Sequence, residues 1–394
     1  MNRFVIPFVL LLFFSCKKNG ENPNSNKYWF ENIGRRTDLL YLPDANVNYF
    51  MYSFVRDTNE HIGIRLHASF GNSRYMSYNV YDNNTRSSIA SVIDTSIVPS
   101  KGGNPYRNEG QGEYSLDIVP DNAEYSGENI LRYNSKVRNV GIMLRYYLPE
   151  GDDYAGVSLP SIEAFDITTG KALKPPTPLS ISFADNPEAL KNIQTLLDLV
   201  FLYEEPSQVN FLRFAGLGLY PNRDNNYVFA PVTLTHDQVV ILRFKPPQYP
   251  ASKAENSGAD VRYFSMSLSN SSTYNFATSA DNTLLEAAED GFINIVISDD
   301  DSDIRQKAVG INFMEWKPAM GNRGFIIYRN LATRIGYEYS MEHIPDFLSS
   351  LSLGTILNPE SLYAHNHIGI YAPIGKKMSK AAFLENYGGF PVSF

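Results

Sequence analysis

Several polar residues recur in the same order in the two halves of this chain. The planar guanidinium of an arginine can form paired hydrogen bonds to a carboxylate, a phosphate or sugar hydroxyls, and a tyrosine ring can stack on an apolar ligand face. The recurrence therefore suggests two equivalent pockets, one in each half. The recurring residues are Asn48-Tyr49 with Asn226-Tyr227, Arg65 with Arg243, Arg74 with Arg262, and Arg145 with Arg329.

A structural interpretation of these recurring residues is favoured over the pocket interpretation. Residues present in both halves are those that each half needs in order to fold, whereas a single active site has no need of two copies. An arginine flanked by apolar strand residues usually pairs with a carboxylate. We therefore expect these arginines to be paired within the protein, and ligand binding stays open as the alternative.

Trp316 differs from the recurring residues because it aligns with no tryptophan in the first half. The other tryptophan, Trp29, lies near the N-terminus, whereas the chain holds 26 tyrosines, so a sugar-stacking surface would depend on tyrosine. The asymmetry makes Trp316 a better candidate for a ligand site than any duplicated residue. A core position is the commoner role for such a side chain.

Two short motifs could hold a metal ion. His365 and His367 would point to one face of a strand and could chelate zinc or copper, although a third ligand is not evident. Asp299, Asp301 and Asp303 have the spacing of a calcium loop. The position of the EF-hand glycine is occupied by isoleucine and that of its final acidic ligand by glycine, which excludes an EF-hand. A surface strand or turn is the favoured interpretation of the histidine motif, and a solvated loop is the favoured interpretation of the acidic motif.

Several kinds of catalytic site are absent from the sequence. The chain has no G-x-S-x-G, no P-loop and no dinucleotide-binding glycine pattern. A pair of acidic residues for glycoside hydrolysis stays open, because such a pair is recognised by its distance in space. We expect no cofactor, and the question of enzymatic activity stays open.

Composition excludes several classes of protein. The chain has 394 residues, a net charge of −8, 43% hydrophobic and 13% aromatic residues, so it is too apolar to be disordered. With acidic residues in excess and no basic run, nucleic acid is not an expected partner. The single cysteine excludes a disulfide framework.

That cysteine follows a short apolar segment at the N-terminus. Residues 4–14 are an unbroken apolar run, too short to span a bilayer, and Ser15-Cys16 ends it. We expect residues 1–15 to be a signal peptide, Cys16 to be lipidated, and residues 16–27 to be a flexible tether. The expected location is the bacterial cell envelope, with the outer membrane favoured; an ordinary signal peptide is the alternative.

The recurring residues belong to a longer internal repeat. Most matches are 178 residues apart, and GEYSLDIVPDNAE resembles DGFINIVISDDDS at this spacing, with Tyr114 over Phe292. Short segments rich in tyrosine, phenylalanine, isoleucine and valine, bounded by turn residues, predict strands in both halves. Helices are expected at about 186–204, at 340–351 and from Ser379 to about Tyr387. The prediction is a mainly β protein of two tandem β-sandwich or jelly-roll halves.

A resemblance to known proteins rests on longer segments. PDANVNYF, RYMSYNVYD and LRYYLPEGDDYAGVSLP in the first half, and NFMEWKPAMGNRGFIIYRN in the second, resemble uncharacterised secreted or lipid-anchored bacterial proteins. These are similar to paired jelly-roll domains of unknown function. The resemblance implies a β architecture and an envelope location. It implies no reaction and therefore no catalytic residue.

We expect a first β-sandwich at 28–180, a linking helix at 181–210, and a second β-sandwich with a C-terminal helical segment at 211–394. The anchor and tether suit a module that acts near a membrane. The favoured function is binding of a glycan or another polar organic ligand in the groove between the halves. An extracytoplasmic hydrolase and a structural subunit of an envelope complex are the alternatives.

Overall fold

The protein is mainly β. A computed structural model of the chain describes residues 27–30, 44–57, 61–179, 187–214, 220–251, 258–271 and 276–387. Strands make up 41% and helices 18%, which confirms the predicted class. The predicted signal peptide and Cys16 lie outside the described residues.

Two sheets are built from the first part of the chain. Sheet A has the order β1-β8-β3-β4, and sheet B has the order β10-β9-β2-β6-β5, with β7 parallel to β6. The strands are β1 Val47–Val55, β2 Ile62–Ser69, β3 Ser73–Asp82, β4 Ser87–Ile93, β5 Lys101–Gly102, β6 Gly112–Pro120, β7 Ile130–Tyr133, β8 Asn139–Pro149, β9 Ser161–Asp166 and β10 Ala172–Leu173.

Two further sheets are built from the second part. Sheet C has the order β11-β20-β14-β17-β18, and sheet D has the order β12-β13-β19-β15-β16. The strands are β11 Gln208–Val209, β12 Leu212–Arg213, β13 Asn225–Thr233, β14 Gln238–Phe244, β15 Tyr263–Asn270, β16 Phe276–Asp281, β17 Ile293–Ser298, β18 Asn312–Glu315, β19 Arg323–Leu331 and β20 Ile374–Ser379.

Alternating side chains explain how the sheets pack. Successive residues of a strand point to opposite faces. Sheets A and B therefore enclose one apolar core, to which Phe50 and Leu144 contribute from sheet A and Leu66 from sheet B. Sheets C and D enclose a second core, which includes Leu242 and Ile326.

Sheets A and D share strand order and register. Tyr49 lies opposite Arg145 between β1 and β8, and Tyr227 lies opposite Arg329 between β13 and β19.

Sheets B and C also correspond, with one correction to the predicted alignment. Asp117 lies opposite Arg65 and Asn294 lies opposite Arg243, so Phe292 matches Ser115 rather than Tyr114. Cross-strand register fixes which face a side chain occupies, so the one-residue shift changes the assignment.

Short helices occupy the surface. The helices are α1 Pro187–Val200, α2 Ser302–Lys307, α3 Phe347–Ser350, α4 Leu353–Leu357, α5 His365–Ile368 and α6 Lys380–Asn386. The predicted helix at 186–204 is α1, the segment 340–351 holds a 3₁₀ turn, Met341–His343, and α3, and the predicted C-terminal helix is α6. Helices α2 and α6 cover the outer face of sheet C through Ile304 and Phe383. Within the described ranges, every helix is too short or too polar to span a bilayer.

Sheets A and D meet through a layer of tyrosines. The rings of Tyr147 and Tyr263 lie 5.3 Å apart, and both residues are buried. The Tyr75 hydroxyl donates to Asp224 at 2.6 Å, and the Tyr263 hydroxyl donates to Asp44 at 2.9 Å. The faces of sheets A and D that point away from the two cores are therefore joined to each other.

Candidate ligand site between sheets A and D

Arg145 lies at the centre of this junction. Its neighbours Leu144 and Tyr146 belong to the core between sheets A and B, so strand alternation directs Arg145 to the opposite face. The side chain is 3% exposed. It reaches the junction because β8 is the second strand of sheet A, with β1 and β3 on either side.

The contacts of Arg145 are neutral. One terminal nitrogen, Nη2, donates to the Tyr81 hydroxyl at 2.7 Å and to the Tyr220 carbonyl at 2.8 Å. The guanidinium lies 5.7 Å from the ring centres of both Tyr49 and Tyr81. The other terminal nitrogen, Nη1, is buried and has no hydrogen-bond partner in the described part of the chain. Among the described residues, no carboxylate lies within ion-pair distance of it.

The surrounding tyrosines do not supply the missing negative charge. Burial raises the pKa of Tyr81 to about 12, although Arg145 acts in the opposite direction. The pKa of Tyr49 is also raised, by burial first and by Asp44 second. Both hydroxyls therefore stay protonated at neutral pH, and Tyr81 donates to the Pro221 carbonyl at 2.9 Å while it accepts from Arg145.

Arg329 approaches the same place from sheet D. It is 2% exposed, donates to the Ser267 hydroxyl at 2.6 Å, and lies 5.8 Å from the ring centre of Tyr227. Arg145 and Arg329 both lower the pKa of Tyr49 and that of Tyr227, so both arginines lie near both rings. The fold thus brings four of the predicted candidates together; we call Tyr49, Arg145, Tyr227 and Arg329 the Tyr–Arg cluster.

Two asparagines beside the cluster also carry unpartnered atoms. The Nδ2 atom of Asn222 and the Oδ1 atom of Asn225 are buried, and neither has a hydrogen-bond partner among the residues that the structure describes. Asn225 donates to the Tyr147 hydroxyl at 3.3 Å, and the backbone of Asn222 lies close enough to Tyr227 to lower the pKa of that side chain. The junction therefore holds unused donors and an unused acceptor close to a buried cation.

Asn48 and Asn226 lie outside the cluster, because each points to the face opposite its tyrosine neighbour. Asn48 is buried and donates to the Asp153 carbonyl at 2.8 Å. Asn226 is half-buried. These placements favour the structural interpretation of the two asparagines, and ligand binding by them stays a prediction.

Arg74 and Arg262 bind across the junction rather than around a pocket. Arg74 donates to the carbonyls of Pro250 at 2.5 Å and Ala251 at 3.0 Å. Arg262 donates to Asp94 at 2.6 Å and to the Arg74 carbonyl at 2.8 Å. Burial raises the pKa of Asp94, and the charge of Arg262 opposes that rise. These contacts favour the structural interpretation of both arginines.

Arg65 and Arg243 pair within their own sheets. Arg65 forms two hydrogen bonds to Asp117, at 2.7 and 2.9 Å. Arg243 donates to Asn294 at 2.8 Å and to Asp290 at 2.6 Å. Each of these two arginines therefore has a carboxylate partner within the protein, as expected.

Trp316 lies in the core between sheets C and D. It is 5% exposed, and its indole N–H donates to the Gly321 carbonyl at 2.8 Å. The placement matches the core interpretation. Trp316 has no tryptophan counterpart in the first half of the chain, and its place in this core explains its presence in the second.

The histidine motif does not form the strand geometry that chelation would need. His365 and His367 lie in α5, where residues two apart point about 200° from each other. His367 Nε2 lies 2.9 Å from the Ser361 carbonyl oxygen. A shared metal on one strand face is therefore wrong for these two residues.

The acidic motif is occupied by protein partners. Lys380 binds Asp299 at 2.6 Å and Asp301 at 2.9 Å. Asp301 also caps α2 by accepting from the backbone N–H of Asp303 and Ile304. In the described part of the chain, histidine, cysteine, aspartate and glutamate side chains nowhere converge in threes on a possible metal position.

Sequence reasoning missed Tyr81, Asn222 and Asn225, which complete the surroundings of Arg145. Tyr81 lies in the predicted strand RYMSYNVYD, but nothing in that strand marks it apart from its other tyrosines. Asn222 and Asn225 flank the start of β13 in the segment PNRDNN. Such a segment predicts a turn, so a role at a buried junction could not be inferred from it.

The fold has a solved counterpart. A crystal structure of an uncharacterised protein from Burkholderia cenocepacia matches this chain with a TM-score of 0.55 at 10% identity, over 90% of this chain and 82% of the other. A structure from Vibrio parahaemolyticus matches with a TM-score of 0.43 at 12% identity, over 74% and 86%. No protein-family model and no curated protein matches the chain. The resemblance to uncharacterised bacterial proteins is confirmed at the level of the fold.

Proposed function

We propose that this protein binds an anionic polar organic ligand, such as an acidic glycan, at the Tyr–Arg cluster. The observation that carries the proposal is the environment of Arg145: a buried guanidinium whose hydrogen-bond partners are neutral and whose Nη1 has no partner among the described residues. Burying a charge without a counter-charge costs several kcal/mol. A ligand carboxylate or phosphate would offset that cost.

The surroundings favour an organic ligand over a simple ion. Tyr49 and Tyr227 are half-buried and lie beside the guanidinium groups of Arg145 and Arg329, so an aromatic surface adjoins the cation. The unpartnered atoms of Asn222 and Asn225 offer one donor and one acceptor beside the cation. A sugar presents hydroxyls that both donate and accept, as well as an apolar face that packs on an aromatic ring.

A tandem duplication of a jelly-roll unit accounts for the way the site is built. The matching strand orders of sheets A and D, and the matching Tyr–Arg register in each, support such a duplication. On this proposal the units at 28–180 and 211–394 each contribute one tyrosine and one arginine, and 181–210 connects them. The ligand would then lie between the two units.

The binding proposal is tested by thermal shift with the full chain purified in detergent. Oligogalacturonate and oligoglucuronate are compared with neutral oligosaccharides of equal length. The acidic set should raise the melting temperature, since binding to the folded state stabilises it. Arg145→Gln should remove the shift, and Arg65→Gln, which alters an arginine on another face, should keep it. An equal shift in Arg145→Gln would overturn the assignment of the site.

We further propose that the protein is an envelope lipoprotein anchored through Cys16. The apolar run at residues 4–14 and the polar segment directly after Cys16 support this. Cys16→Ala should move the protein from the membrane fraction to the soluble fraction without changing its circular dichroism. A Cys16→Ala protein that stays in the membrane fraction would contradict lipid anchoring.

A further inference from the structure

A second polar site lies on the outer face of sheet B, away from the Tyr–Arg cluster. A cleft of about 540 Å³ opens there between β2, β6, the start of β9 and the segment 156–159. Its lining is rich in hydroxyl groups and includes Ser69, Ser100, Ser158 and Ser161. The cleft also contains one histidine, His67.

Cross-strand register places a serine and a histidine that line this cleft next to a glutamate on the neighbouring strand. His67 on β2 lies opposite Ser115 on β6 and opposite Ser161 on β9, and Glu163 follows two residues after Ser161. Residues two apart on a strand share a face. All of these side chains therefore project from the outer face of sheet B.

The geometry of the three groups fits an activated hydroxyl. The Ser115 hydroxyl oxygen lies 2.9 Å from Nδ1 of His67, and Nε2 of His67 lies 3.6 Å from a carboxylate oxygen of Glu163. With the hydroxyl donating to Nδ1, the ring proton resides on Nε2 and faces the carboxylate. The His67 and Glu163 side chains are 45% and 40% exposed, so both are open to a substrate.

The corresponding positions of sheet C hold no such set. By register, Lys245, Phe292 and Ile374 occupy the places of His67, Ser115 and Glu163. The ring centre of Phe292 lies 4.0 Å from the guanidinium carbon of Arg243. The serine, histidine and glutamate are therefore not required by this kind of sheet in order to fold.

We propose that Ser115, His67 and Glu163 form a nucleophile, base and carboxylate that hydrolyse carboxylic esters in the cleft. This activity is separate from ligand binding at the Tyr–Arg cluster. The roles follow the general logic of a hydroxyl activated by a neighbouring base that a third group orients.

The reaction balances with water as the second substrate. Ser115 Oγ attacks the ester carbonyl carbon, and its proton passes to His67. The alcohol leaves with that proton as the ester C–O bond breaks, and an acyl-serine remains. Water then attacks the acyl-serine and gives a proton to His67, which returns it to Ser115 Oγ. The products are one carboxylic acid and one alcohol, and Glu163 exchanges no proton with the substrate.

The lining indicates the substrate class. The serine hydroxyls would hydrogen-bond a polyhydroxylated alcohol, whereas Val157 and Leu159 offer a small apolar contact. A short acyl group on a sugar or another polyol matches both parts. We therefore assign the substrate class as short-chain O-acyl esters of polyols.

The test uses the full chain with p-nitrophenyl acetate as substrate and a fluorophosphonate as a covalent probe. Hydrolysis should exceed that of the heat-denatured protein by at least tenfold, and peptide mass spectrometry should find the probe on Ser115. Ser115→Ala should abolish both signals, and His67→Gln should reduce both by at least tenfold. Ser87→Ala, at an exposed serine of β4, is the matched control and should leave both unchanged.

The labelling experiment uses the wild-type protein, so its result does not require any variant to fold. Failure of the probe to label Ser115 in the wild-type protein, together with hydrolysis no faster than the denatured control, would overturn the proposal. Labelling of other serines with Ser115 unmodified would overturn it as well. Neither result affects the binding proposal, because that proposal is tested by a thermal shift that depends on Arg145.

Discussion

Arg65 and Arg145 are both central-strand arginines of the same part of the chain, and both recur in the second part. Arg65 lies on the outer face of sheet B, 31% exposed, where Asp117 accepts two hydrogen bonds from it. Arg145 lies on the outer face of sheet A, 3% exposed, with one hydroxyl and one carbonyl as acceptors. The better solvated arginine has a directly bonded counter-charge, whereas among the described residues the buried one forms no ion pair, and Asp224 acts on it only from a longer distance.

This difference separates a structural arginine from a candidate ligand-binding arginine. Solvation alone would demand the opposite arrangement, because a buried charge needs a partner more than an exposed one does. Recurrence in the sequence cannot make the distinction, since both arginines recur. The two arginines are distinguished by the charge of the groups that accept their hydrogen bonds. The tertiary structure determines which groups those are.

The largest effect should come from Arg262, which is buried like Arg145 and paired like Arg65. Arg262→Ala leaves Asp94 fully buried without its cation, and removing one partner of a buried pair costs about 3–5 kcal/mol. Urea unfolding followed by circular dichroism measures the loss. The double variant Arg262→Ala with Asp94→Asn should recover part of it. A loss below about 1 kcal/mol would show that the pair does not hold sheets A and D together.

Arg145→Met should have the next largest effect, and on ligand affinity rather than on folding. Methionine keeps much of the side-chain volume and removes a buried charge that forms no ion pair among the described residues, so the free energy of unfolding should stay unchanged or rise by about 1 kcal/mol. Affinity for an acidic oligosaccharide should fall by at least tenfold, because a charged hydrogen bond contributes about 1.5–3 kcal/mol. Calorimetry and urea unfolding measure the two quantities. A destabilisation as large as that of Arg262→Ala would place Arg145 among the structural arginines.

The β character of the protein could be predicted because strand signals are local. The segments YFMYSFV and VGIMLRYYL alternate or run apolar between turn residues, and they form β1 and β8 nearly as predicted. The alignment of Tyr114 with Phe292 was wrong by one residue. Register depends on the cross-strand partner, Asp117 or Asn294, and a single strand does not reveal its partner.

The candidate site could be predicted in part. Tyr49, Arg145, Tyr227 and Arg329 were found through the repeat, because the same cross-strand pair is used in both sheets. The grouping of Ser115 with His67 had no signal in the sequence. The two residues are 48 positions apart, and only the pairing of β2 with β6 brings them together.

Asp224 offers a third, smaller test, through pH. Burial raises its pKa above 3.8, whereas the hydrogen bond from Tyr75 and the charge of Arg145 oppose the rise. A raised pKa in the folded state means that the stability from this group is complete below about pH 3.8 and is lost as pH rises through the folded value. Asp224→Asn should therefore gain stability relative to the wild type as pH rises from about 4 to 7, by about 1.4 kcal/mol for each unit of pKa difference.

Arg145→Met provides the matched background for that measurement. Without the charge of Arg145, the pKa of Asp224 should rise further, so the gain from Asp224→Asn should become larger. Urea unfolding at four pH values for the wild type, the two single variants and the double variant completes the cycle. An identical gain in both backgrounds would show that Arg145 and Asp224 do not interact, and the electrostatic description of the junction would then be wrong.

The smallest effect should come from Arg65→Ala. Its ion pair with Asp117 is partly solvated, and such pairs contribute about 0.2–1 kcal/mol. The loss should shrink in 1 M sodium chloride, because salt screens exposed pairs more than buried ones. Arg262→Ala measured in the same buffers should keep its larger loss. If salt removed the effects of Arg65→Ala and Arg262→Ala equally, burial would not distinguish the two arginines, and the absence of a counter-charge at Arg145 would lose its energetic meaning.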